Sequence, residues 1–130
     1  MEKTMHVKKI AAFLLAALLL ANSPCMAEDM QFVDAKGATG YYVDMASLTF
    51  EGEDVVNARI AVKKATMNRM FLYTMHFDVK MHTYQILDSQ VVQYDTREVL
   101  ESKGGSEVSR PYGMYSPMNS IVEYIYSMRK

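Results

Sequence analysis

Residues Phe71 to Tyr94 read Phe-Leu-Tyr-Thr-Met-His-Phe-Asp-Val-Lys-Met-His-Thr-Tyr-Gln-Ile-Leu-Asp-Ser-Gln-Val-Val-Gln-Tyr. In the first half, Phe71, Tyr73, Met75, Phe77, Val79 and Met81 recur at every second position. Thr74, His76, Asp78 and Lys80 fill the gaps, and Leu72 is the one apolar residue among them. A period of two sends the two sets to opposite sides of a pleated strand. One apolar and one polar face describe an antiparallel strand, because a parallel strand is covered on both sides. Tyr84 to Tyr94, rich in Ile, Val and Tyr, reads as its partner, with the turn expected at Lys80 to His82.

Upstream, Met30, Phe32 and Val33 suggest a first strand, and Lys36-Gly37-Ala38-Thr39-Gly40 a turn. Tyr41 to Asp44 resumes as a strand, after which Asp44 is expected to cap a helical turn through Ser47. Glu51 to Asp54 is a charged turn. In Val55 to Ala65, the apolar Val56, Ala58, Ile60 and Val62 alternate with Asn57, Arg59 and Lys63, which predicts another strand. Downstream, turns at Asp95 to Glu98 and Lys103 to Ser106 flank a return at Val99 to Ser102. Ser120-Ile-Val-Glu123 has the form of a capping box. Met118, Ile121, Val122, Ile125 and Met128 follow helical spacing and form one apolar stripe. A helix of about three turns is marginal alone and must dock on the sheet. The expectation is an α+β domain, mainly an antiparallel sheet of five to six strands packed against one C-terminal helix.

The first 27 residues carry Lys3, Lys8 and Lys9, then an uncharged run of twelve apolar residues from Ile10 to Ala21. That pattern is a secretory signal, too short to span a bilayer, with cleavage expected after Ala27. Cys25 raises lipid attachment as an alternative, although Pro24 stands where a lipobox wants a small residue. Loss of Lys3, Lys8, Lys9 and Glu2 takes the chain from 14 basic and 15 acidic residues to 11 and 14, a net charge of −3. That balance argues against nucleic acid or an anionic membrane as partner. The 103 residues from Glu28 to Lys130 suffice for a single domain, hold no cysteine, and contain no membrane span. Without disulfides, an exported domain of this size must rest on its core.

From Tyr41 onward the order of features resembles the surface-adhesin E-like family of bacterial exported proteins. The residues that carry the resemblance are Tyr41-Tyr-Val-Asp44 with Ser47-Leu48, Phe77-Asp78, and Val92-Gln-Tyr-Asp95 turning into Val99-Leu-Glu-Ser102. Ser116-Pro-Met-Asn-Ser120 follows, with Glu123 and Tyr126 on the closing helix. Members often carry one cysteine after the strand aspartate and another near the helix end. Val79 and Met128 stand at those places, so the staple is lost and a packing contact is the expectation. Tyr115 matches the aromatic before the final proline. The resemblance implies an antiparallel sheet with a C-terminal helix. For the best-known members it also implies binding to host extracellular-matrix and serum proteins.

Met75-His76 and Met81-His82 repeat a pair whose thioether and imidazole suit soft metals such as copper. The pleat splits each pair, leaving at best an incomplete set in His76, Asp78 and His82, so no metal site is assigned. No nucleophile elbow, phosphate loop or spaced ligand set is present, so no catalytic or cofactor-binding residue is assigned either. Nine methionines remain after cleavage, more simply core filling than an adaptable surface. Tyrosine is enriched at interfaces, and Tyr112, Tyr115, Tyr124 and Tyr126 cluster near the end. The candidate protein-binding patch is therefore Lys103, Arg110, Tyr112 and Tyr115. These readings favour a non-enzymatic exported module contacting a host matrix or envelope protein. The alternative is an envelope protein carrying a small ligand or metal on the concave face of its sheet. A homodimer stays open.

Overall fold

The alternating segments pair in the order in which they are made. A computed structural model describes residues 28–129, so the expected signal segment with Cys25, and Lys130 at the other end, lie outside the described residues. Strands β1 (Met30–Lys36), β2 (Thr39–Phe50), β3 (Val55–Lys64), β4 (Arg69–Asp78), β5 (Thr83–Gln93) and β6 (Val99–Gly104) form an antiparallel meander in chain order. A two-residue strand β7 (Arg110–Pro111) pairs with the start of β5, and helix α1 (Pro117–Met128) follows. This is the expected α+β architecture, with the short β7 raising the strand number to seven. No helix among the described residues is long and apolar enough to cross a membrane.

Register fixes which side chains meet. Val56, Ala58, Ile60 and Val62 of β3 stand opposite Phe77, Met75, Tyr73 and Phe71 of β4. On the other flank of β4, Phe77, Met75, Tyr73 and Phe71 face Tyr84, Ile86, Ser89 and Val91, with a one-residue irregularity near Thr74. Residues directly opposite share a face. Phe77, Ile60 and Val56 are fully buried there beneath Ile121 and Ile125 of α1.

The outer face is not simply polar. Leu72, the outlier of the alternation, is buried with Ala61, Met70 and Val92, and Met30, Tyr42 and Tyr94 pack around them. The first half of β4 thus contributes to a second, smaller core. Met81 leaves the expected apolar row: it lies in the β4–β5 turn and is 67% exposed.

Three local readings need correction. No helical turn follows Asp44, because β2 runs on through a bulge between Asp44 and Thr49. The buried Asp44 carboxylate accepts from the amides of Ala46 at 3.0 Å and Asp29 at 2.8 Å. The Ser47 hydroxyl accepts from the Arg59 amide at 2.8 Å, so a side chain replaces the missing rung of the ladder. The helix begins before the expected capping box. Ser116 is the N-cap, its Oγ accepting from the Met118 amide at 3.1 Å, and Pro117 occupies the first turn. Proline lacks the amide that a first turn leaves free and has the right φ, so the helix starts there. Met128, the last residue of the expected stripe, is 57% exposed, while Met118, Ile121, Val122 and Ile125 are buried. Val79 packs against the main core, so the expected Val79–Met128 pair is not a shared core contact.

Candidate functional site

Helix α1 packs over β1 and β2. The same face of the sheet continues beyond the helix across β4, β5 and β6, and there it is open. Two contiguous hollows of about 310 and about 300 Å³ lie on it and share Phe71 and Tyr73. The first is lined by Tyr41, Val62, Lys64, Phe71, Tyr73, Met75, Tyr84, Ile86 and Met118. The second adds Ser89, Gln90, Val91, Glu101 and Lys103.

The register explains why these residues converge. Tyr41, Val62, Phe71, Val91 and Glu101 form one row across five strands, and Val43, Ile60, Tyr73, Ser89 and Lys103 form the next. Each row starts under the helix and ends on β6, whose residues are all exposed. Apolarity falls along the row in step with cover. The floor is aromatic, and the margin carries an ion pair in which Lys103 Nζ lies 3.4 Å from Glu101 Oε1. Burial, then the neighbouring Tyr84 and Tyr41, push the Tyr73 hydroxyl above the usual tyrosine pKa. Tyr73 therefore keeps its proton at neutral pH and can donate or accept a hydrogen bond from the floor. The lining residues include no His, Cys or Asp. This set suits contact and orientation more than proton transfer.

The structure does not bring the four residues of the sequence-derived patch together. Lys103 lines the groove, opposite Ser89. Arg110 stands opposite Tyr84, at the other end of β5 on the same face. Tyr112 is 6% exposed, with its ring 6.5 Å from Phe77 and 5.7 Å from His82, so it belongs to the core. Its amide donates to the His82 carbonyl at 3.0 Å, and that bond turns the chain inward after Pro111. Tyr115 is 85% exposed, and its carbonyl accepts from Lys36 Nζ at 3.0 Å, beside the end of β1. Sequence reasoning missed Phe71, Tyr73 and Tyr84 as site residues, because their alternation marks them equally as core.

His76 and His82 sit in different surroundings. His76 Nδ1 lies 2.7 Å from Asn57 Oδ1 and 3.5 Å from a Glu51 carboxylate oxygen. His82 sits in the β4–β5 turn with φ 54°, where Asp78 accepts from the Met81 amide at 3.0 Å. Among the described residues, no group of three or more His, Cys, Asp or Glu stands close enough together to hold a metal ion.

No family model, curated protein or solved structure matches this chain.

Proposed function

We propose that this chain is a non-enzymatic exported binding module that takes a protein partner on the open half of its helix-side face. The resemblance to surface-adhesin E-like proteins makes a host matrix or cell-surface protein the partner class. The observation that carries the reading is the uncovered aromatic floor of Tyr41, Phe71, Tyr73 and Tyr84, edged by Glu101 and Lys103. Aromatic residues at the centre and a charged rim are the composition of protein interfaces. Tyrosine buries much area while losing only two side-chain rotations.

Binding of purified matrix proteins to the immobilised protein tests this. Saturable binding that weakens about tenfold in Tyr73→Ala and in Lys103→Glu supports the proposal. Protease treatment of intact cells tests exposure, since peptides of a surface module are released.

One observation favours a second reading. The first hollow, about 310 Å³, lies at the lower end of the roughly 300–1,000 Å³ of small-molecule sites. A small apolar ligand carried in the envelope would fit it. Binding of such a ligand, with no saturable protein partner and no peptides released from intact cells, would favour this carrier over the binding module.

A further inference from the structure

The two edges of the meander differ. Strand β1 is partly buried by α1, whose Tyr124 hydroxyl donates to Gln31 Oε1 at 3.3 Å. At the other edge every residue of β6 is exposed, and among the described residues β6 pairs with β5 alone. Its outward amides and carbonyls are therefore a template for one more strand. Past Gly104 the chain stays beside β5, the Ser106 amide donating to the Ile86 carbonyl at 2.8 Å. Val99 and Leu100 add exposed apolar side chains to this edge.

A lysine and a bulge are common devices against edge pairing, and β6 has both, in Lys103 and in the register shift at Leu100. Here, however, Glu101 stands two residues before Lys103, and their charged atoms lie 3.4 Å apart. The segment Glu101-Ser-Lys103 is thereby complementary to itself when its direction is reversed. With a two-fold axis through Ser102, normal to the sheet, antiparallel pairing sets Glu101 of each copy opposite Lys103 of the other. Opposite positions share a face, so both opposite-charge pairs form on the groove side. Leu100 of one copy falls beside Gly104 of the other, where a Cβ would meet nothing. Moving the axis by one residue either way sets Glu101 opposite itself or Lys103 opposite itself, and like charges in register are unfavourable. The charges thus select one register.

We propose that β6 pairs with β6 of a second copy, Glu101 against Lys103, in a two-fold antiparallel dimer. The two meanders become one sheet, and the two grooves, each ending on β6, join along one side of it. One short strand per copy is a small contact, so the dimer forms reversibly, at about micromolar concentration or above. This goes beyond the binding-module reading and stands without it.

Sedimentation equilibrium of the purified Glu28–Lys130 protein, from about 1 μM to about 1 mM, tests this without any other partner. The expected result is a monomer–dimer equilibrium that Glu101→Lys or Lys103→Glu alone weakens about tenfold or more. An equal mixture of those two variants should associate again, because each like-charged strand then meets one of opposite sign. Ser102→Cys should give a disulfide-linked dimer on mild oxidation, since the two copies of that position meet on the axis and residues 28–130 hold no other cysteine. A monomer at every concentration overturns the proposal. So does a dimer untouched by both charge variants, or a mixture that fails to associate. A monomer that binds a matrix protein would overturn the dimer and leave the groove reading intact, and a dimer that binds none would do the reverse.

Discussion

The Ser120 hydroxyl, on the first turns of α1, donates to Asp34 Oδ2 of β1 at 2.9 Å across 86 positions of sequence. Ser120 therefore latches the helix to the edge strand, and Ser116 caps it. Glu123, the other half of the expected capping box, accepts from Asn119 Nδ2 at 3.3 Å within the helix.

A double-mutant cycle separates these roles. Ser120→Ala and Asp34→Ala should show a coupling of about 1 kcal/mol in urea unfolding, the net worth of one hydrogen bond. Ser116→Ala should cost about 1 kcal/mol as the lost cap. Coupling of Ser120 to Glu123 instead of Asp34 would restore the capping box.

Gly104 and Gly105 are adjacent and alike in sequence but not in surroundings. A Cβ on Gly105 would fall on the carbonyls of β5, 2.7 Å from the Leu87 carbonyl carbon and 2.8 Å from Ile86 O, while one on Gly104 would meet nothing. Backbone cannot rotate aside as a flexible side chain can. Gly105→Ala should lower stability by about 2 kcal/mol or more, and Gly104→Ala should stay within about 0.5 kcal/mol, the range of unhindered surface changes. Equal melting curves for the two variants would contradict this.

Phe77 and Ile125 are both 0% exposed. Phe77→Ala should cost about 3–5 kcal/mol and Ile125→Ala about 2–4 kcal/mol in urea unfolding, the usual range of such core truncations. Met128→Ala should be close to neutral, because that side chain has left the sheet. His76→Ala should cost about 1 kcal/mol by loss of its contact with Asn57. A larger loss for His76 than for Ile125 would reverse the assignment of faces.

Burial holds the hydroxyls of Tyr73, Tyr112 and Tyr126 above the usual tyrosine pKa. The folded state thus favours the protonated phenol. Its contribution to stability is fully present below the unfolded value of about 10, and is lost as pH rises through the higher folded values. Melting temperature should fall from about pH 10 upward, and absorbance at about 295 nm should show late-titrating tyrosines before unfolding. Tyr73→Phe should reduce the fall. Titration of all nine tyrosines together at the ordinary value, with the fold intact, would refute the burial assignment.

Most of the sheet was legible because strand pairing follows a local period of two. Val55 to Ala65 and Phe71 to Asp78 carried that period through to the observed register. The bulge after Asp44 was not legible, since it depends on Arg59 donating to Ser47 from another strand. The capping box misled because Ser120 and Glu123 satisfy the local pattern, whereas Pro117 decides where the helix begins. Of the proposed patch, only Lys103 reached the groove. Tyr112 looked like surface until its bond to His82 drew it under the sheet. The groove itself depends on α1 packing over β1 and β2 and leaving the rest of that face uncovered, and no short stretch of sequence records that.

Strand β6 has every residue exposed, yet it supplies Glu101 and Lys103 to the groove. Its attachment is the backbone ladder to β5, from Asp88–Gly104 to Val92–Val99, with little apolar anchorage. Elements bound in this way open at a small fraction of the global unfolding free energy. The amides of β6 should exchange with solvent deuterium well ahead of those of β3 and β4. If they do, one wall of the groove belongs to the rigid core and the other is a separately melting flap, and the width of the opening is a thermal variable.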